Sequence, residues 1–180
     1  AILYDGQILG IVPKTHIPNY NEYYEGRRFE KAFENNIEIE LFNQIVLFGT
    51  KIIFSCQTMP YFNIGVEICE DLWLPNAPSQ TLTLNGATII ANTSASNELT
   101  AKKDYRRNLV SMQSAKLVSG YVYSNAGSGE STTDVVFSGH HLICENGTII
   151  NESAGFDASI IYGDLDVEKL ASERRKMTTY

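Results

Sequence analysis

The sequence predicts an α/β domain in which layers of sheet and helix stack on one another. Short, β-branched apolar runs recur along most of the chain. One long helical pattern, over residues 100–119, lies between two of them, which implies a crossover connection. Gly, Asn-Gly and Asp-Gly signals separate the runs into strands rather than one continuous apolar block.

The elements follow in order. Residues 2–4 and 7–12 flank Asp5-Gly6 and read as a hairpin. Residues 15–40 are polar and aromatic with poor periodicity, and read as an ordered loop with a short helix near 29–33. Residues 44–48 and 51–56, across Gly49-Thr50, read as a second hairpin. Residues 63–68 form a strand ending at Cys69. Residues 78–85 are weakly helical, Gly86 ends that helix, and 87–91 is a buried strand. In the long helix Tyr105, Leu109, Met112 and Lys116 recur at helical spacing and mark the expected core face. Gly120 is its expected stop. Residues 121–125, 135–138, 141–144, 148–151 and 159–164 read as strands, with Glu145-Asn146-Gly147 as a turn. Residues 166–176 read as a helix with an Asp cap and a basic last turn.

Composition narrows the function classes. The chain has 180 residues, 43% hydrophobic and 19% charged, which is ordinary globular composition for one domain. Fourteen basic residues against 21 acidic ones give a net charge of −7, unfavourable for binding a nucleic-acid backbone. No apolar run approaches the roughly 18–20 residues of a membrane helix. No leader is visible, and the compartment expected is the cytoplasm. Three cysteines are an odd, sparse set, better read as reduced thiols than as a disulfide framework. Asn92, Asn146 and Asn151 sit in glycosylation-type triplets, read as chance matches. The chain opens on Ala1-Ile-Leu-Tyr4 inside a strand and reads as a piece of something larger.

Chemistry points first to Cys69, at a strand exit beside two acids. A thiol there becomes nucleophilic only with a cation nearby, because Glu67, Glu70 and Asp71 oppose the thiolate. Lys14, also just past a strand, is a candidate for that cation and for an oxyanion partner in acyl transfer. On these features alone, Cys69 reads more simply as a small buried hydrophobe and Lys14 as a solvated loop lysine. Cys56 and Cys144 read as core thiols. His16, His140 and His141 show no ligand spacing, His140-His141 read as surface or edge, and no metal is expected. The glycine-rich segment 127–133 has no following Lys and fails as a phosphate loop. Lys102, Lys103, Arg106 and Arg107 read as a solvated basic face, one member of which could meet a substrate carboxylate.

Four ordered blocks carry a resemblance. Lys14-Thr-His-Ile-Pro-Asn-Tyr20, with Tyr23-Tyr24-Glu25 and Arg28-Phe29 behind it, resembles the lysine segment of glutamine-dependent NAD synthetases. Val66-Glu-Ile-Cys-Glu-Asp-Leu-Trp73 resembles their cysteine segment. Ala91-Asn-Thr-Ser-Ala-Ser96 and Tyr121-Val-Tyr-Ser-Asn-Ala-Gly-Ser-Gly-Glu-Ser-Thr-Thr-Asp134 match two further blocks. Together they span nearly the whole chain and resemble the glutaminase domain, a nitrilase-superfamily member.

The resemblance implies a nitrilase-like four-layer α-β-β-α sandwich, incomplete at its N-terminus, with residues 1–180 a partial glutaminase domain. It implies Cys69 as nucleophile and Lys14 as the residue steadying the tetrahedral intermediate, with the Glu70 backbone N–H. Tyr20, Ser96 and Lys102 match glutamine-binding positions; Lys102 keeps the charge of the usual Arg but loses its bidentate fork. Glu25 matches a second acid that positions the lysine. The family's general-base Glu matches nothing here and falls upstream of Ala1. The synthetase half, with its ATP and Mg, is likewise absent; no cofactor is implied in this chain itself. The implied partners are glutamine, the parent's synthetase domain and further copies in a homo-oligomer. Without the base, turnover is expected to fall by roughly 10²–10⁴-fold or more. Another nitrilase-type amidase, or a non-catalytic binding module with an inert Cys69, are the alternatives.

Overall fold

The computed structural model describes residues 1–157 and 159–180. The Asp5-Gly6 turn closes a hairpin of β1 (Ile2–Tyr4) and β2 (Gln7–Gly10), both turn residues having positive φ (48° and 74°). The next strands are β3 (Ile37–Leu41) and β4 (Gln44–Phe48), paired antiparallel. This corrects the expected second hairpin. Strand β4 turns back through Phe42-Asn43, with φ of 51° and 59°, onto a segment read as loop. Nor is there a helix at 29–33; the only helical turn nearby is a 3-10 turn at Glu25–Arg27. Ile11 bridges Phe48, linking the two hairpins.

Six strands form the main sheet. They are β5 (Ile53–Ser55), β6 (Asn63–Ile68), β7 (Ile89–Ser94), β8 (Gly120–Asn125), β9 (Leu142–Glu145) and β10 (Thr148–Glu152). Their order across the sheet is β10-β9-β8-β7-β6-β5. The central β6, β7 and β8 run parallel and the outer strands antiparallel. Parallel neighbours need crossovers, and α1 (Pro78–Leu84) and α2 (Lys102–Leu117) supply them. Residues 135–138 and 159–164, read as strands, are irregular.

The core lies between this sheet and the two helices. Leu82 of α1 and Val110 and Leu117 of α2 meet Ile90, Tyr121, Tyr123, Leu142 and Cys144 of the strands. Each fully buried aliphatic side chain here contributes about 1.5–3 kcal/mol. The buried face of α2 is Arg106, Val110, Gln113, Ser114 and Leu117. The expected stripe is therefore wrong by one position: Tyr105 and Met112 are exposed. A buried Arg takes the place where apolarity alone would put Tyr105. Nor does Gly120 stop the helix. Val118 does so in a left-handed conformation (φ 45°), and Gly120 is a close-approach position, where a Cβ would sit 2.8 Å from Leu165. Helix α3 (Val167–Lys176) has the expected cap, Asp166 Oδ1 accepting from the Lys169 N–H at 2.9 Å. Its Arg174 donates to the carbonyls of Leu117, the last residue of α2, and of Val118, its C-cap.

The parallel strands place the site. Strands β6 and β7 end on the same sheet edge, so Cys69 just past β6 and residues 93–96 at the end of β7 come together.

Candidate active site

Cys69 opens a 3-10 turn, Cys69–Leu72, and is 7% exposed. Its φ of 48° is left-handed, which costs a non-glycine residue on the order of 1–2 kcal/mol. Strain of that kind on a buried thiol points to a fixed orientation rather than to a plain core residue. Cys144 is the contrasting case: fully buried in the core, its thiol is pushed up to about 11 by burial. Cys56 departs from expectation, since it lies past β5, half-exposed, beside Thr58.

Lys14 follows β2 and the Ile11 bridge. Its Nζ meets Glu25 Oε2 at 2.6 Å, both side chains being partly buried. Lys14, Glu25 and Cys69 line one cavity of ≈530 Å³, with Phe29, Ile68 and Ser94 among its walls. Among the described residues Lys14 is the only cation lining it. The lining carboxylates are Glu25, engaged with Lys14, and the exposed Glu30.

Cys69 also lines a second, smaller cavity of ≈150 Å³, with Tyr20, Glu22, Glu70, Ser96 and Lys102. The Tyr20 hydroxyl donates to Glu70 Oε1 at 2.9 Å, and burial and Glu70 together push its pKa up. Lys102 opens α2, donates to Asn97 Oδ1, and lies over the Trp73 ring at 5.4 Å. Burial, then the nearby Arg106, lowers its pKa. Ser96 is 2% exposed and its hydroxyl has no hydrogen-bond partner among the described residues. All seven residues singled out from the sequence thus line one of two cavities that share Cys69.

Sequence reading took Asp71 only as an acid opposing the thiolate and missed its structural task. Its carboxylate accepts from the N–H of Ile68 at 3.0 Å, Thr15 at 3.3 Å and His16 at 2.8 Å. It therefore ties the backbone before Cys69 to the backbone after Lys14. Burial pushes this carboxyl up, against the three N–H donors. Asp71→Ala is expected to cost about 3 kcal/mol, roughly 6–12 °C in Tm by calorimetry, with Asp71→Asn costing about half.

Two further expectations fail. Arg106 is fully buried, not part of a solvated face, and donates to Glu98 and to the Asn97 carbonyl. His140 is fully buried, not at the surface. Since Arg106 can only donate, His140 Nδ1 accepts from it at 3.0 Å and Nε2–H donates to Glu152 at 2.9 Å. Burial holds His140 below the usual histidine range. Protons thus bind the unfolded chain better, and stability falls as pH drops through about 6.5. Thermal unfolding should show a loss of up to about 1.4 kcal/mol per pH unit between pH 6.5 and 5.5, and His140→Gln should flatten it. Glu152, brought below its usual value by Arg107 and His140 despite burial, acts only in a more acidic window.

Among the described residues no group of three His, Cys, Asp or Glu is placed to hold a metal. The segment 127–133 forms a 3-10 turn at Ser128–Glu130 with an acid and no cation, so it offers no phosphate cradle. Among the described residues no helix is long and apolar enough to cross a membrane.

Residues 2–175 match the family model described as carbon-nitrogen hydrolase. The chain belongs to the carbon-nitrogen hydrolase family. The chain is 39% identical over 182 residues to the glutamine-dependent NAD(+) synthetase of Mycobacterium tuberculosis, covering 100% of the chain and 27% of that protein. It is 32% identical over 171 residues to the enzyme of the same name from Thermotoga maritima, covering 94% and 26%. The chain thus spans about a quarter of the length of these curated relatives. Among solved structures, a glutamine-dependent NAD(+) synthetase from Cytophaga hutchinsonii matches with a TM-score of 0.73 and 26% identity, over 85% of the chain and 24% of that protein. A carbon-nitrogen hydrolase from Helicobacter pylori matches at 0.72 and 19% identity, over 96% and 57%, and shows the shared fold. The observed architecture is therefore a mixed α/β fold shared with these solved structures.

Proposed function

We propose that this carbon-nitrogen hydrolase cleaves the side-chain amide of glutamine and supplies the ammonia for an NAD-forming amidation. The observation that carries the reading is that Cys69 lines both cavities at once. One holds a cation suited to an oxyanion, the other a set of groups suited to an amino-acid head.

In this reading the glutamine α-carboxylate pairs with Lys102, whose ammonium keeps donors beyond the one given to Asn97. Glu22 is placed to meet the α-ammonium, and the Tyr20 and Ser96 hydroxyls complete the head-group site. The amide carbon then lies beside Cys69 Sγ. The thiol proton passes to a carboxylate base, the S–C bond forms, and the carbonyl oxygen gains charge. Lys14 and the Glu70 N–H stabilise that oxyanion; the N–H belongs to the first turn of a 3-10 helix, where donors lack helical partners. The C–N bond breaks and nitrogen leaves as ammonia with the transferred proton. Water then cleaves the glutamyl thioester to glutamate and restores the thiol. Glu25 holds Lys14 in place, and no carboxylate of this chain is assigned as the base. ATP-dependent use of the ammonia belongs to a synthetase region of the kind the relatives' names describe, and no residue of this chain is assigned to it.

Steady-state hydrolysis tests the substrate by the ratio of two rates, both measured at whatever turnover the available base allows. Glutamate and ammonia should appear one to one from L-glutamine, with kcat/KM on the order of 10²-fold or more above that for an aliphatic amide lacking the amino-acid head, since unpaired site groups penalise the analogue. Equal rates for both would support a general nitrilase-type amidase instead.

A further inference from the structure

The strained backbone at Cys69 is held by a buried chain of hydrogen bonds drawn from the three central strands. The Cys69 N–H donates to Asn92 Oδ1 at 3.1 Å. Asn92 Nδ2 donates to the Tyr121 hydroxyl at 3.1 Å. Tyr121 donates in turn to Glu67 Oε1, and Glu67 Oε2 accepts from the Ser79 N–H at 2.9 Å. Asn92, Tyr121 and Glu67 are 1%, 0% and 1% exposed. They stand on β7, β8 and β6, and Glu67 pairs with Asn92 in the sheet register.

Only one ordering of protons satisfies this chain. A backbone N–H can only donate, so the Asn92 oxygen must face Cys69. Its NH2 then faces Tyr121, whose single proton goes to the carboxylate. Asn92 is thereby locked in one orientation from behind, and its oxygen is fixed toward the nucleophile. A second donor, the Ser94 hydroxyl, reaches the same oxygen at 3.1 Å. Asn92, Tyr121 and Glu67 line neither of the two cavities, so none of the three is placed to touch substrate.

We propose that Asn92, oriented by Tyr121 and Glu67, is a positioning residue for the Cys69 nucleophile. It holds the left-handed backbone that sets where Sγ stands between the two cavities. By taking the Cys69 N–H it also leaves the next one, that of Glu70, as the backbone donor for the oxyanion. The inference rests on the reading of Cys69 as nucleophile. It predicts that loosening Asn92 slows reaction at Sγ without weakening substrate binding, because misplacement of a reacting atom by about 1 Å costs on the order of 10²-fold.

The test is the kinetics of Cys69 modification by a chloroketone analogue of glutamine, followed by intact mass, in the native protein, Asn92→Ala and Tyr121→Phe. The maximal modification rate is expected to fall about 10²-fold in Asn92→Ala and about 10-fold in Tyr121→Phe. The half-saturating analogue concentration should stay within about threefold in both. A purely structural role would lower the folded fraction and leave both constants of the folded molecules unchanged. Should Asn92→Ala fail to fold, Tyr121→Phe, which loses a single oxygen, carries the test. Maximal rates within threefold of the native protein in the folded variants would overturn the positioning role while leaving the nucleophile intact. Absence of selective Cys69 modification in the native protein would instead remove the nucleophile reading, and this inference with it.

Discussion

Cys69→Ala is expected to abolish ammonia release from glutamine, a fall on the order of 10⁴-fold or more. Nothing else lining the two cavities can form the acyl intermediate by the same route. The other lining hydroxyls are those of Thr93, Ser94, Ser96, Tyr20 and Tyr23, none of them a thiol, and the one bonded to a carboxylate, Tyr20, is a phenol committed to Glu70. Cys144 is sealed in the core and Cys56 lies in neither cavity, so neither substitutes. The fold should survive the change. Removing one sulfur from a side chain that borders two cavities costs within about 1 kcal/mol, so Tm and activity separate cleanly. Assay of glutamate production alongside thermal unfolding checks both halves. Residual turnover above about 1% of the native rate would contradict the assignment.

Lys14→Met should lower kcat by about 10²–10³-fold, the effect typical of deleting one donor to a developing oxyanion. Among the described residues Lys14 is the only cation lining the larger cavity, so none of them replaces it. Its ion pair with Glu25 is half-shielded and contributes at most about 1 kcal/mol to stability, which keeps the change a catalytic one. Lys14→Arg should not restore activity. The guanidinium is a broad planar fork, whereas the 2.6 Å contact with Glu25 Oε2 holds a compact ammonium in place. Glu25→Gln should fall between the native protein and Lys14→Met, because it frees the ammonium without removing it. Measured kcat values in that order support the role; a Lys14→Met enzyme that loses only affinity would refute it.

Elements governed by short-range chemistry were legible in the sequence. Asp5-Gly6 marked a true hairpin, Asp166 a true cap, and the β-branched run 63–68 a true strand. What depended on distant partners was not. Strand β3 alternates Ile37, Glu38, Ile39, Glu40 and Leu41, but its turn, Phe42-Asn43, lacks the usual glycine, so Gly49-Thr50 drew the hairpin to the wrong side. The face of α2 was misread because Arg106 is buried by Glu98 and His140, neither of which is near it in that helix. The candidate site shows the same division. Cys69, Lys14, Tyr20, Ser96 and Lys102 were found through motif resemblance, and the structure gathers them around two cavities. The tasks of Asp71 and Asn92 escaped notice because they act on backbone N–H groups, a task that any short acceptor could perform and that only three-dimensional proximity reveals.

The central claim is that Cys69 is the nucleophile of a glutamine site that Lys102 and Lys14 complete. Intact-mass analysis of the protein treated with an electrophilic glutamine analogue, beside Cys69→Ala, tests it most directly. One adduct, located on Cys69, missing in the variant and suppressed by excess L-glutamine but not by an aliphatic amide, is the predicted result. Adducts shared evenly among Cys56, Cys69 and Cys144, with no protection by glutamine, would contradict it.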